Sequence, residues 1–214
     1  MLYRFIKRSA DIVLSSFSII CLSPLLLVVS LLIKITSKGP IIYKAKRVGK
    51  NGEIFKCYKF RSMIVDSGKV KLTTLKNDER IYPFGRFLRN SKIDELPQLF
   101  NILSGKMSIV GPRPEDEENV GAIYIGDYVK ILDVKPGLTS PASLYDYTHG
   151  EKYQDEKLYK EKFLPKKLKL ELYYVENQNV LYDIKLVIKT ITVIFLTLFG
   201  KKKFTEPKEL SKVD

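Results

Sequence analysis

Ile12 to Ile33 contains no charged residue and reaches the roughly 20 apolar residues that a bilayer-crossing helix needs. A cleaved signal core is one alternative. The run is longer than such cores usually are, and no small-x-small cleavage site follows it. Ser23-Pro24 sits at its middle, where proline removes a backbone donor and kinks a helix. Both flanks are basic, Lys7 and Arg8 before and Lys34 and Lys38 after, and basic flanks favour the cytoplasmic side. If both stay there, the segment enters the bilayer and returns as a bent helix. A plain crossing that tolerates its proline fits the same facts, so two readings stand.

After Gly39-Pro40 the period changes. Residues 41–48 and 53–60 read as strands around Lys50-Asn51-Gly52, and Asn-Gly between such runs is a strong hairpin signal. Lys44, Lys46, Lys56 and Lys59 read as a basic face of this hairpin, either solvated or facing phosphates and lipid headgroups. Residues 66–78 are polar and read as a loop or short helix, and residues 84–90 as a short basic helix carrying Arg86 and Arg89. Ile93, Leu96, Leu99, Phe100 and Leu103 then recur at helical spacing up to Gly105. Pro97 is tolerated only in a first turn, so this helix is expected to start near Asp94. Gly111-Pro112-Arg113-Pro114 reads as a rigid turn presenting Arg113, and residues 135–141 as a second turn-rich loop. Residues 152–176 are charged and helical in pattern, interrupted at Pro165. Residues 182–199 read as an amphipathic helix on the membrane or the domain, because Asp183, Lys185 and Lys189 shorten its apolar part too much for a crossing.

Composition narrows the class of partner. The 214 residues hold 37 basic and 24 acidic side chains, a formal charge of +13, which favours an anionic partner. From Lys38 to Arg61 eight basic residues face one acid, Glu53. That block directly follows the apolar run, so an anionic membrane surface is favoured over nucleic acid. Two cysteines, Cys21 and Cys57, have neither metal spacing nor a disulfide pattern, and His149 is the single histidine, which excludes a zinc site built on several histidines.

Asp94-Glu95 admits two readings. As structure, Asp caps a helix and Glu suits the positive end of its dipole. As chemistry, one carboxylate is a nucleophile and both lie near a metal, where a helix start also holds phosphate oxygens. Arg86, Arg89 and Arg113 suit a diphosphate, because guanidinium forks match phosphate oxygens. No dinucleotide fingerprint, P-loop or nucleophile elbow is present. His149 reads either as a base or as a satisfied loop residue.

The motifs, in this order, are those of a known family. Lys7-Arg8-x-x-Asp11, Ser23-Pro24, Gly39-Pro40, Tyr43-Lys44, Arg47-x-Gly49, residues 58–63 (YKFRSM) and Asn77-Asp78-x-Arg80 lead into the densest part. That part comprises residues 85–89 (GRFLR), 93–99 (IDELPQL), Asn101, Met107-Ser108 and Gly111-Pro112-Arg113-Pro114. The chain resembles the bacterial sugar transferases, monotopic phosphoglycosyl transferases acting on polyprenyl phosphate. The pattern departs at Lys106, where an acid is usual, at Tyr82-Pro83, and over residues 140–150.

The resemblance implies a helix-rich α+β fold. It would have a broken, re-entrant membrane helix in residues 1–38, a catalytic domain with a small β-hairpin and interfacial amphipathic helices in 39–200, and a basic tail in 201–214. It implies that Asp94 attacks the sugar-bearing phosphate of a UDP-sugar, expels UMP and passes the phosphosugar to undecaprenyl phosphate, at the start of surface glycan assembly. Glu95 assists with a proton or with Mg2+, which Asp94 and Glu95 would hold. Lys59, Arg61, Arg89, Arg113, Pro112 and Pro114 become phosphate or nucleotide contacts, and Ser23 and Pro24 the helix break. The cytoplasmic face of the inner membrane is the expected location. Implied partners are the UDP-sugar, undecaprenyl phosphate and an anionic membrane surface, not nucleic acid, with a second copy of the chain left open. An inactive scaffold of a glycan-assembly complex is the alternative.

Overall fold

The long first helix lies against a helix-rich domain containing two small sheets. A computed structural model describes residues 2–64, 80–153 and 155–212; the loop or helix expected at 66–78, and Asn77-Asp78, lie outside these. Helix α1 (Leu2–Thr36) is hydrogen-bonded as one helix with Pro24 inside it, and Ser23 Oγ donates to the Ile20 carbonyl at 2.8 Å. Ile19 and Leu22 pack on Ala45, Phe55, Cys57, Leu99, Ile102 and Met107. Val29 and Ile33 pack on Phe60 and Leu88.

The hairpin forms as read. Strands β1 (Ile42–Val48) and β2 (Ile54–Phe60) pair antiparallel, and Asn51 (φ 56°) and Gly52 (φ 80°) turn the chain between them. Both take the left-handed conformation that asparagine and glycine tolerate best. The expected single basic face does not form. Lys46 opposes Lys56, but Lys59 opposes Tyr43, in step with the buried Ala45–Cys57 pair. Alternation along a strand therefore turns Lys59 inward.

Helix α2 (Pro83–Asn90) follows, then a 3-10 turn at Ile93–Glu95 and helix α3 (Gln98–Leu103). Asn101 on α3 ties this region to β2: its side chain accepts from Tyr58 N at 2.9 Å and donates to the Lys56 carbonyl at 2.8 Å. The second turn-rich loop contains a strand, a correction to the sequence reading. Strand β3 (Ser108–Val110) pairs in parallel with β4 (Gly137–Thr139). A Cβ on Gly111 would strike the Lys135 carbonyl, and one on Gly137 would strike the Gly111 backbone. The two glycines thus let the chains touch where the Pro112–Pro114 turn leaves the sheet.

Between the strands lie α4 (Glu117–Ile123) and a 3-10 segment (Gly126–Asp133). The divergent 140–150 stretch holds helix α5 (Pro141–His149), capped by the Ser140 hydroxyl accepting from Ser143 N. A short α6 (Glu156–Leu158) runs through a π-helical turn (Tyr159–Phe163) into α7 (Leu164–Asn177). Pro165 sits in the first turn of α7, and the π-helical turn directly before it is where the helical run departs from α geometry, close to the interruption read from the sequence. Helix α8 (Val180–Leu198) follows. The tail folds back: Leu210 is buried with Ala142, Tyr145, Phe163 and Leu170.

Candidate active site

The Asp94-Glu95 pair sits one turn earlier than expected. Pro97 has no N–H to donate to the Ile93 carbonyl, so no α-type bond closes there. The chain closes 3-10 bonds instead, Glu95 N to Lys92 O and Leu96 N to Ile93 O, each 3.1 Å, and α3 starts at Gln98 with no side-chain cap. Asp94 is therefore not the cap of α3. Both carboxylates are buried at 6% exposure, and Asp94 Oδ1 has no hydrogen-bond partner among the described residues.

Cations converge on Glu95. Its Oε1 receives Lys59 Nζ and Arg113 Nη2, each at 3.0 Å, and lies 4.0 Å from Lys92 Nζ. Burial alone would raise the Glu95 carboxyl, but the charges of Lys59, Lys92 and Arg113 outweigh it and hold the group well below its ordinary range. Asp94 moves the other way. Burial raises it, and the Glu95 charge raises it further, against Lys59, Lys92 and Arg89. Glu95 is thus the anion of the pair, and Asp94 is the more basic carboxyl, with one oxygen uncommitted. Four cations (Lys59, Arg89, Lys92 and Arg113) act on Asp94 and Glu95, with the Asp146 carboxylate also acting on Arg113, so cations still outnumber carboxylates around the pair.

The structure brings together Asp94, Glu95, Lys59, Arg89 and Arg113 from the sequence-predicted set. Pro112 and Pro114 stiffen the turn behind Arg113, and the Pro112 carbonyl accepts from Gly137 N at 2.7 Å. Arg61 goes elsewhere: it is buried and donates to the Ser37 and Lys38 carbonyls at the end of α1, where it caps that helix. Ser23 and Pro24 belong to α1. His149 is buried, stacked on Tyr145 at 4.9 Å and hydrogen-bonded to the Thr148 hydroxyl through Nδ1 at 2.7 Å. It is a packed histidine.

Sequence reasoning missed three residues. Lys92 has a left-handed backbone (φ 59°), unusual outside glycine, and burial lowers its pKa against the pull of Glu95. Its ammonium lies 5.0 Å over the Tyr147 ring, and Tyr147 in turn donates to the Asn90 carbonyl at 2.8 Å. Helix α5 thereby forms an edge of the site. Glu171, on α7, accepts the Arg113 N–H at 2.9 Å. The left-handed turn at Lys92 has no signal in residue type; Tyr147 and Glu171 reach the site only through tertiary packing.

No group of three or more His, Cys, Asp or Glu side chains that could hold a metal occurs among the described residues. Asp94 Oδ1 is the uncommitted oxygen of the pair, a donor of the kind that magnesium takes together with substrate phosphates.

The model of the family described as bacterial sugar transferase matches residues 2–197. The chain is 39% identical over 197 residues to a UDP-glucose:undecaprenyl-phosphate glucose-1-phosphate transferase of Klebsiella pneumoniae, covering 90% of this chain and 39% of that protein. It is 38% identical to an undecaprenyl-phosphate galactose phosphotransferase of Salmonella typhimurium, covering 89% and 40%. It is 37% identical to an exopolysaccharide production protein, PSS, of Rhizobium leguminosarum bv. phaseoli, covering 87% and 93%. The chain thus spans about two-fifths of the first two relatives and nearly all of the third.

Proposed function

The chain belongs to the bacterial sugar transferase family, and from that premise we propose that it transfers a sugar-1-phosphate from a UDP-sugar to undecaprenyl phosphate, releasing UMP and starting a surface glycan. The observation that carries this reading is the buried Asp94 carboxyl with an uncommitted oxygen beside a cluster of cations. Relatives are named for glucose, galactose and N-acetylgalactosamine, so the donor is given as a UDP-sugar without naming the sugar.

In the proposed reaction Asp94 attacks the sugar-bearing phosphorus. The bond from that phosphorus to the bridging oxygen breaks, and UMP leaves with the bridging oxygen. A phosphate oxygen of undecaprenyl phosphate then attacks the same phosphorus, and the bond to Asp94 breaks, restoring its carboxylate. Covalent catalysis splits one displacement into two. The raised pKa of Asp94 suits a nucleophile, since a more basic oxygen attacks better. Glu95, kept ionised, holds Lys59 and Arg113 in place until phosphate oxygens take over their donors. Arg89 lies on the Asp94 side. Magnesium, held by Asp94 and Glu95, would neutralise diphosphate charge.

We also propose that α1 is re-entrant and that the domain rests on the cytoplasmic face of the inner membrane. Contacts at both ends of α1 support this. Near the start, Lys7 pairs with Asp183 at 2.6 Å and Asp11 accepts from Ile109 N at 2.9 Å. Near the end, Val29 and Ile33 are buried on the same domain. An inactive scaffold has no use for the cation–carboxylate cluster.

The test is UMP release from a panel of UDP-sugars, with undecaprenyl phosphate in vesicles and magnesium present. Asp94→Asn should lower the rate by about a thousandfold or more, the scale on which removed nucleophiles act. An Asn variant running at the wild-type rate sinks the nucleophile assignment, and a wild type silent with every donor favours the scaffold.

A further inference from the structure

The segment Pro112-Arg113-Pro114 contains a single backbone donor, because proline has none. That donor, Arg113 N–H, goes to Glu171 Oε1 at 2.9 Å. On the other side of the same residue, the Arg113 guanidinium donates to Glu95 at 3.0 Å. Glu171 is thus joined to the reacting centre through one residue, on a turn that Gly111 and Gly137 clamp to the sheet.

Glu171 is an expensive group to bury for structural reasons alone. It is 2% exposed, and its Oε2 has no hydrogen-bond partner among the described residues. The groups around it are Lys167 on its own helix, Glu115 and the Arg113 backbone on the turn, Tyr124 after α4 and Ser140 at the start of α5. The Lys167 charge is paired with Glu115 at 2.8 Å and reaches Glu171 only as the weaker pull of a nearby charge. A buried N–H needs an acceptor, but a neutral amide or a carbonyl would serve at lower cost. An ionisable acceptor binds the same N–H more tightly when charged.

We propose that Glu171 is a positioning residue for the transfer: its carboxyl grips the Arg113 N–H from behind and thereby sets where the Arg113 guanidinium meets the phosphate. Burial raises this carboxyl to about 7 against the pull of the Arg113 N–H and Lys167. The grip therefore tightens as pH rises through neutrality.

The inference rests on the activity proposed above, and the two fail differently. A wild type that releases no UMP from any UDP-sugar overturns the activity. The positioning role is tested on the full chain in vesicles with Glu171→Ala and Glu171→Gln, once UMP release by the wild type is in hand. The Ala variant should lose roughly tenfold to a hundredfold in kcat, the scale of a slightly misplaced group, and its Arg113 amide should exchange with solvent faster than in the wild type. A folded Ala variant with wild-type kcat and amide protection overturns the role. If Ala does not fold, Gln decides, since it still offers an oxygen to the N–H but cannot ionise. The wild-type kcat should rise with pH between about 6 and 8, and the Gln variant should lack that step. A Gln profile with the wild-type step overturns the role.

Discussion

At the residue scale, Glu95 determines the electrostatics of the site. Lys59, Lys92 and Arg113 converge on one of its oxygens, and removing that charge leaves them facing one another across a largely buried space. Breaking a buried ion pair from one side costs about 3–5 kcal/mol, so Glu95→Gln should be destabilised by that order at pH 7. The sign with pH follows from the depressed folded pKa. The contribution is full above the ordinary value of 4.5 and is lost as pH falls below it toward the folded value. Urea unfolding of both proteins should therefore show a constant gap from pH 7 to about 5 that closes at lower pH. A gap that widens on acidification contradicts the assignment of Glu95 as the ionised partner.

At the scale of elements, the informative feature is where α1 is fastened. Arg8 donates to the Ile102 and Leu103 carbonyls at 2.7 and 2.9 Å, closing the C-terminus of α3, while Arg61 caps α1 at its far end. The two termini of the apolar run thus both contact one domain, as the proposed re-entrant arrangement requires. With Cys21→Ser as background (Cys57 is buried), cysteines placed at Leu2 and Lys50 should both react with an impermeant thiol reagent from the cytoplasmic side. Reaction from opposite sides would exclude the re-entrant arrangement. The hairpin and α2 could be read in advance because Asn51-Gly52 and a short basic run are local signals. The start of α3 could not: a proline in a first turn fits a helix beginning near Asp94 as well as one beginning after Pro97, and the chain closes 3-10 bonds before it. Helix α5 was hidden because Ser140-Pro141, which reads as a turn, is also a helix cap followed by proline in the first turn. The carboxylates, Lys59, Arg89 and Arg113 could be recognised from the order of their motifs. Glu171 and Tyr147 come from segments distant in sequence and lie outside every local pattern.

At the scale of the whole molecule, charge and apolar surface should divide membrane binding between them. Leu181, Ile184, Ile188, Ile191, Phe195 and Leu198 are all exposed and recur every three or four residues along α8, which puts them on one stripe. Phe17, Ile20, Leu27 and Leu31 of α1 are exposed as well. Such a surface rarely stays in water. The charge of +13 adds attraction to anionic lipid of about 1 kcal/mol per basic residue near the surface. Only the electrostatic part is screened by salt, since the Debye length falls from about 10 Å at 0.1 M to about 3 Å at 1 M. Flotation should therefore show tighter binding to anionic than to neutral vesicles at about 0.1 M salt, and equal, retained binding to both at about 1 M. Release of the protein from anionic vesicles at the higher salt would mean that charge alone holds it, and that the stripes on α1 and α8 meet another protein surface instead of lipid.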